Sequence, residues 1–553
     1  MSSAPQLRPY QREAIDAVIA ARRAGTKRMV ICLPTGAGKT VIFSHLARLA
    51  RKQVLVLAHR EELLGQAKDK LERALGGTRV VALERGGERA AGDAKVLVAS
   101  LRSMHEQRLA HVLDGRDFGL VIYDECHHAA ADDNLRILRQ LGAFERSWEG
   151  TLLGFTATTA RGDGKGLDQV FERIVYSRTL PELIEAGYLA PLKGFRINTN
   201  ADLTRITSRG ADFADHDLAE VVDIEERNAL VARSIQELAR DRRTIAFCVT
   251  VNHARNLARA LNAVGVPAGV VHGAMPSADR AKALAEFRSG RIQVISNVAV
   301  LTEGFDDPGV SCVAMVRPTR SEGLYAQCIG RGTRLADGKQ DCLILDFVDV
   351  SNLSLCSLPS LFGCPRDLDL RGGDVEEARR AWLQLVLDHP GFELEAGALT
   401  LSEIQDRAES FDPLTLAANL EVRAISANAW FSLGRHGVGL GFERQPGRPT
   451  AVTVVKWGAR GKTWQVELDG QVIDRFATLE QAVEAVDYEI EQIGRSASAS
   501  ARDDAPWRRR RAPEQLIARL RSPSVAMAHA DALRLAVWEA VTRPQPGHAR
   551  AVS

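Results

Sequence analysis

The chain has 553 residues, too many for one hydrophobic core, so three or four domains are expected. A formal net charge of +2 excludes a globally basic nucleic-acid binder and leaves any such site to a local patch. No apolar stretch is long enough for a bilayer, residues 1–11 lack a signal-peptide core, and the eight scattered cysteines hold no CxxC pair; these point to a cytoplasmic protein with reduced thiols and against a zinc module.

In chain order, the first feature is the apolar run Met29-Val30-Ile31-Cys32, which reads as a buried strand. It enters Leu33-Pro34-Thr35-Gly36-Ala37-Gly38-Lys39-Thr40, and a helical pattern follows from Val41 to Ala50. Strand, Gly-rich turn and helix start together make a phosphate cradle, because backbone N–H groups and the positive end of the helix dipole converge on the anion. Gly36 and Gly38 let the backbone approach, Lys39 can reach the β- and γ-phosphates, and Thr40 can hold Mg²⁺. Leu33 stands where the general pattern has Gly. Further strands are expected at Val54 to Ala58, Val96 to Ser100, Leu120 to Asp124 and Leu152 to Thr156. The third ends in Asp124-Glu125, two carboxylates at the C-terminal edge of a parallel sheet. Asp124 can hold Mg²⁺ through water while Glu125 polarises an attacking water, which makes an ATPase site.

A second strand series runs from Thr244 to Val249, Gly269 to Val271, Ile292 to Ser296, Cys312 to Val316 and Cys342 to Asp346. Two parallel-sheet lobes are expected, with a hinge near residue 190 and a weakly patterned, polar stretch from Tyr188 to Asp215 between them. Gln327 to Arg334 places Arg331 and Arg334 three apart, on one face of a helix. In a two-lobe machine such arginines can cross the cleft to the γ-phosphate, a contribution on the order of 10³–10⁵ in rate.

Beyond about residue 355 the texture changes: six of the seven tryptophans lie there. Asp374 to Leu387 reads as a helix. Strands follow at Val452 to Trp457, Trp464 to Leu468 and Val472 to Phe476, with Asp469-Gly470 as a hairpin turn, and then an amphipathic helix from Leu479 to Ile493. Trp457 and Trp464 are expected in the core, Arg495 to Ala505 as a flexible segment, and Arg508 to Arg511 as a solvated basic run. His127 and His128, being adjacent, are expected to point apart.

These motifs resemble, in order, those of a superfamily 2 helicase over roughly residues 6–350. Arg8-Pro9-Tyr10-Gln11 resembles the adenine-reading entry motif, Gly36 to Thr40 motif I, and Leu57 to Leu63 motif Ia. Asp124 to His127 resembles motif II, Thr156-Ala157-Thr158 motif III, Phe247 to Asn252 motif IV, Thr302 to Asp306 motif V, and Gln327 to Arg334 motif VI. The chain is most similar to the XPB-type, RadD-type and mitochondrial branch-migration helicases. The resemblance implies an α/β fold of two RecA-like parallel-sheet lobes in tandem plus a C-terminal α+β accessory region. Expected boundaries are 1–190 for the first lobe, 191–355 for the second, 356–420 for a helical connector, 421–495 for a small α+β module, 496–511 for a flexible basic linker and 512–553 for a helical tail.

It implies ATP and Mg²⁺ as cofactors. The catalytic residues would be Lys39, Asp124, Glu125, Arg331 and Arg334. Nucleotide would be bound by Gln11, Thr35, Gly36, Gly38, Lys39, Thr40, Gly304, Asp306 and Gln327, and the metal by Thr40 and Asp124. Arg60 and Thr302 would touch the nucleic-acid backbone, while His127, Thr156 and Thr158 would couple hydrolysis to it. The expected function is ATP-dependent movement on, or remodelling of, forked or branched DNA in repair or recombination, by backbone contacts of low sequence specificity. RNA is a less favoured substrate. An RNA helicase, the motor of a restriction or defence complex, and an ATP-gated nucleic-acid clamp stand as alternatives.

Overall fold

The computed structural model describes residues 7–58, 61–76, 80–86, 94–157, 167–204, 206, 208–209, 212–302, 305–351, 355–388, 399–409, 420–445, 448–457, 463–520 and 527–542. Contacts divide the chain into two compact units: residues up to Arg380 together with 397–400, and residues 381–396 together with 401 onward.

The first unit holds two parallel sheets, the two RecA-like lobes. After helix α1 (Pro9–Arg23), the first lobe builds β1 (Arg28–Cys32), helix α2 (Lys39–Leu49), β2 (Gln53–Ala58), helix α3 (Glu61–Leu75), β3 (Val81–Glu84), β4 (Val96–Ser100), β5 (Phe118–Asp124), β6 (Thr151–Thr156) and β7 (Arg173–Ser177). Their order across the sheet is β3-β4-β2-β5-β6-β1-β7. The central strands are apolar along their whole length because helices cover both faces: Met29, Val30 and Ile31 are all fully buried, as are Val121, Ile122 and Tyr123. This order sets β1, β5 and β6 next to one another, so the segments leaving their C-terminal ends meet at one sheet edge.

The second lobe comprises β8 (Leu192–Asp202), a short antiparallel pair β9 (Ser208–Arg209) and β10 (Asp212–Phe213), then β11 (Thr244–Phe247), β12 (Ala268–His272), β13 (Val294–Val298), β14 (Cys312–Met315) and β15 (Cys342–Val350). The sheet order is β12-β13-β11-β14-β15-β8. The polar stretch expected between the lobes therefore contains the edge strand of the second sheet. One of its polar residues, Thr199, is accommodated by a buried network, while Asn198, Asn200 and Asp202 face solvent. Thr199 donates its hydroxyl to Asp349, and Arg227 donates to the same carboxylate from Nε at 2.8 Å and Nη2 at 2.9 Å.

Residues 356–380, expected as part of a connector, pack on this lobe instead. Leu358, Phe362 and Val375 lie in its core, Leu358 N donates to Asp346 at 2.9 Å, and Gly194 exchanges backbone hydrogen bonds with Gly372 and Gly373. Three buried apolar side chains fix the segment to this lobe.

The second unit is an antiparallel sheet, β16 (Phe431–Ser432), β17 (Gly437–Gln445), β18 (Arg448–Trp457), β19 (Thr463–Leu468) and β20 (Gln471–Phe476). Asp469 and Gly470 turn between the last two strands with φ of 50° and 83°, the left-handed pair that a two-residue hairpin requires. The helix Leu479–Ile493 covers one face through Val483, Val486 and Ile490. The helix His529–Thr542 covers Ala451 and Val455 on the other through Val537, Trp538 and Val541.

The expected flexible linker over 496–511 is corrected here. Arg495–Ser500 is helical, and Trp507 and Arg508 are buried. Trp507 donates to the Ser500 carbonyl at 2.8 Å, while Arg508 donates to the carbonyls of Arg502, Gly441 and Ala501. Arg508 is thus a structural clamp, and the basic run is not wholly solvated. Trp457 and Trp464 are half-buried, each with a cation over its ring: Arg475 at 5.0 Å and Lys456 at 5.4 Å.

Candidate ATP site between the two lobes

The phosphate loop leaves β1 and enters α2 through two left-handed glycines, Gly36 at φ 88° and Gly38 at φ 75°. A side chain at Gly38 would bring its Cβ to 2.7 Å of Gln11 Nε2, and one at Gly36 to 3.0 Å of Thr333 Oγ1. The loop is braced from below. The Tyr10 hydroxyl donates to the Ala37 carbonyl at 2.6 Å, and Gln11 Nε2 donates to the same oxygen at 3.3 Å. Gln11 Oε1 accepts from Arg8 N at 3.0 Å, so both polar ends of this buried side chain are engaged in bracing the loop. Leu33 N donates to Thr156 O at 2.9 Å, which ties the loop to the end of β6.

Lys39, the first residue of α2, reaches across to Glu125 Oε1 at 3.2 Å; their side chains are 12% and 8% exposed. Glu125 sits just past β5 at φ 51°, a left-handed conformation uncommon for a non-glycine residue. Burial pushes its carboxyl upward, but the Lys39 charge, with His127 and Arg331 behind it, outweighs burial and holds the pKa below the usual carboxylate value. Asp124 Oδ1 accepts from Glu125 N at 3.1 Å. His127 Nδ1 lies 3.3 Å from Thr156 Oγ1 and 3.4 Å from Glu125 Oε2, so one imidazole joins the carboxylate to the strand that follows. The rings of His127 and His128 do not point apart as expected; their centroids are 4.1 Å apart, because the segment Cys126–His128 is a tight 3₁₀ turn.

The second lobe supplies the other wall. Gly330 follows the helix Glu322–Ile329 and meets Thr35 so closely that a Cβ there would lie 2.6 Å from Thr35 Cβ. Thr333 is fully buried, with its hydroxyl 3.5 Å from the Thr35 carbonyl. The two arginines are held differently. Arg331 donates from Nη1 to the Phe305 carbonyl at 2.9 Å and from Nη2 to the Thr302 carbonyl at 2.8 Å. Arg334 pairs through Nε with Asp306 Oδ1 at 3.0 Å, while its buried Nη1 has no hydrogen-bond partner among the described residues. Its Cγ comes within 3.5 Å of where a Gly36 Cβ would stand, so the stem of this side chain runs beside the phosphate loop.

Gln327 is buried on the helix that delivers these residues. Thr302 is also buried and donates to the Ala299 carbonyl at 2.6 Å, so it is not offered to a strand in solvent as expected. Arg60, Thr158 and Gly304 lie outside the described residues.

The cradle suits an anionic phosphate chain. Its glycines leave room that a Cβ would fill, and among the described residues the buried Thr35 Oγ1 has no partner and Arg334 presents an unmet donor. Thr40 at the start of α2 and Asp124 at the end of β5 are hard oxygen donors of the kind Mg²⁺ takes. Sequence reasoning did not find Thr333, Tyr188 or Lys70. The Tyr188 ring lies tilted against Tyr10 with centroids 4.8 Å apart, and its backbone carbonyl accepts from Arg8 Nη1 at 2.8 Å. Lys70 reaches Asp306 from α3. Only Thr333 carried a signal, its place between the two arginines.

Residues 4–161 match the family described as "Type III restriction enzyme, res subunit", and residues 226–336 match the "Helicase conserved C-terminal domain". The two matches fall on the two lobes, in the order that the motifs predict. The chain belongs to the superfamily 2 helicases. It is 32% identical over 388 residues to the ATP-dependent helicase IRC3 of Saccharomyces cerevisiae, covering 68% of this chain and 55% of that protein. It is 34% identical over 371 residues to the mitochondrial ATP-dependent helicase irc3 of Schizosaccharomyces pombe, covering 66% and 61%. The "DNA 3'-5' translocase XPB2" of Sulfurisphaera tokodaii is 26% identical over 62% of this chain and 81% of its own length. The chain thus spans less than two thirds of the length of the two IRC3 relatives. Among the described residues, no helix is long and apolar enough to cross a membrane.

Proposed function

We propose that this superfamily 2 helicase is a nucleic-acid-dependent ATPase that couples ATP hydrolysis to movement on DNA. The observation that carries the reading is the meeting of the phosphate loop, which leads into the Lys39–Glu125 pair of the first lobe, with Thr333 and Arg334 of the second. In this reading Lys39 exchanges Glu125 for the β- and γ-phosphate oxygens when ATP enters. Glu125, released from its ion pair, accepts a proton from the attacking water. His127 keeps the carboxylate oriented through its contact with Thr156. Arg334 turns Nη1 to charge developing on the γ-phosphate, while Arg331 keeps Thr302 and Phe305 in place. Thr40 and Asp124 would hold Mg²⁺, which would supply positive charge against the phosphate oxygens.

DNA is favoured over RNA by the relatives: one of the proteins it resembles is a DNA 3'-5' translocase. Forked or branched DNA, a role in repair or recombination, and a cytoplasmic site of action belong to the same proposal. The second unit would act as an accessory that holds a duplex arm. The test is ATPase rate with single-stranded, duplex, forked and branched DNA and with RNA in parallel. DNA should stimulate far more than RNA, with forked or branched DNA best, and stimulation should fall steeply with salt. Equal stimulation by RNA would replace the DNA reading with that of an RNA helicase.

A further inference from the structure

The cleft contains a residue that no motif explains. Lys70 lies on α3 of the first lobe, and its Nζ is 2.5 Å from Asp306 Oδ2 of the second. The other oxygen of the same carboxylate, Oδ1, holds Arg334 Nε at 3.0 Å. One carboxylate is therefore shared by two cations, one from each lobe. The pair with Arg334 needs only the second lobe, whereas the pair with Lys70 exists only when the lobes meet.

The charge count gives this arrangement a consequence. Asp306 and Arg334 alone are neutral together, so the carboxylate would screen the guanidinium from a phosphate. A second cation on the carboxylate leaves the trio at a net +1 beside the phosphate loop. Because Arg334 Nη1 is buried and has no partner among the described residues, the uncompensated charge has a donor through which to act. Lys70 and Asp306 are 40% and 30% exposed, so water screens the effect and keeps it modest.

We propose that Lys70 is a positioning residue of the ATP site: by sharing Asp306 when the lobes meet, it offsets the carboxylate charge and leaves the Arg334 guanidinium, still held at Nε, a net cation toward the γ-phosphate. Lobe closure is thereby converted into a cationic site. This rests on the ATPase reading above and deepens it, since it names what switches the second-lobe arginine on.

The experiment compares wild type, Lys70→Met and Lys70→Arg in full-length protein. It measures kcat, the KM for ATP and the DNA concentration giving half-maximal stimulation. Lys70→Met keeps the aliphatic stem and removes the charge; its kcat at saturating ATP and DNA should fall about fivefold. KM and half-saturating DNA should stay within about twofold, and Lys70→Arg should restore kcat, because the role is electrostatic. An unchanged kcat in Lys70→Met overturns the proposal. So does a raised half-saturating DNA concentration at unchanged kcat, which would make Lys70 a strand contact, and so does a Lys70→Arg variant as slow as Lys70→Met, which would make the role one of shape. Absence of turnover in the wild type would overturn the ATPase reading itself, and this inference with it.

Discussion

Lys39→Met offers a test of the ion pair at the heart of the cleft. The substitution removes the charge that holds Glu125 ionised, in a place where both side chains are almost closed to solvent. Burial, the largest influence on Glu125, is then opposed chiefly by the weaker His127 and Arg331 charges, and the folded pKa moves from below the ordinary value to above it. A buried carboxylate without its partner costs about 3–5 kcal/mol. The group can limit the loss by taking a proton, and for a carboxyl of ordinary pKa ~4.3 that costs about 3.7 kcal/mol at pH 7. The ceiling falls to about 1.6 kcal/mol at pH 5.5.

The sign follows from proton counts. In the wild type the depressed pKa contributes stability that is fully present above the unfolded value and lost only as pH falls through the folded one. In Lys39→Met the raised pKa makes the folded state bind more protons, so stability declines as pH rises toward 7. The gap between the two proteins should therefore narrow by about 2 kcal/mol from pH 7 to pH 5.5. Thermal denaturation of wild type, Lys39→Met and Lys39→Met/Glu125→Gln at these two pH values measures it, and the double variant should show no such narrowing. A Lys39→Met protein as stable as wild type at pH 7, or a gap that does not change with pH, would refute the reasoning.

Two further outcomes follow from the same geometry. Glu125→Gln should retain ATP binding, since Lys39, Thr40 and Asp124 remain, but lose about 10²–10⁴ in turnover with the loss of the proton acceptor; nucleotide binding and steady-state hydrolysis measured together check this, and fast turnover would remove Glu125 from its role. Gly38→Ala should cost about 1–3 kcal/mol in stability through strain at φ 75° and the 2.7 Å approach to Gln11 Nε2, and should weaken ATP affinity in a titration, because the cradle would be displaced.

Much of the fold was legible because its signals are local. The run Met29 to Cys32 is apolar on both faces, as a strand buried between helices must be, and it is β1. Leu479 to Ile493 carried its apolar stripe at helical spacing and forms a helix over that span. What the sequence did not disclose depends on partners distant in the chain. β8 alternates buried and open residues at a sheet edge, and its Thr199 is accommodated by Asp349, 150 positions away. β17 is rich in glycine, and its Gly441 leaves room for Trp507 and Leu533, side chains that no local pattern announces. Trp507 and Arg508 read as part of a polar linker because their partners, the carbonyls of Ser500 and Gly441, are invisible in composition.

The site divides in the same way. Lys39, Glu125 and Arg334 were named by motif, and the fold brings them to one cleft. The different tasks of the two arginines could not be read from their spacing. Arg331 is occupied by backbone carbonyls of residues 302 and 305, and only the folded second lobe sets those beside it. Lys70 had no signal at all, being one of several cations on an amphipathic helix.

The central claim is that an arginine of the second lobe completes an ATP site held by the first. Its most direct test is DNA-stimulated hydrolysis by Arg334→Gln beside wild type, with ATP affinity measured on the same preparations. The account predicts that kcat falls by about 10³ or more while ATP affinity changes little, as for loss of an arginine finger. A variant that turns over ATP within about tenfold of wild type would contradict it.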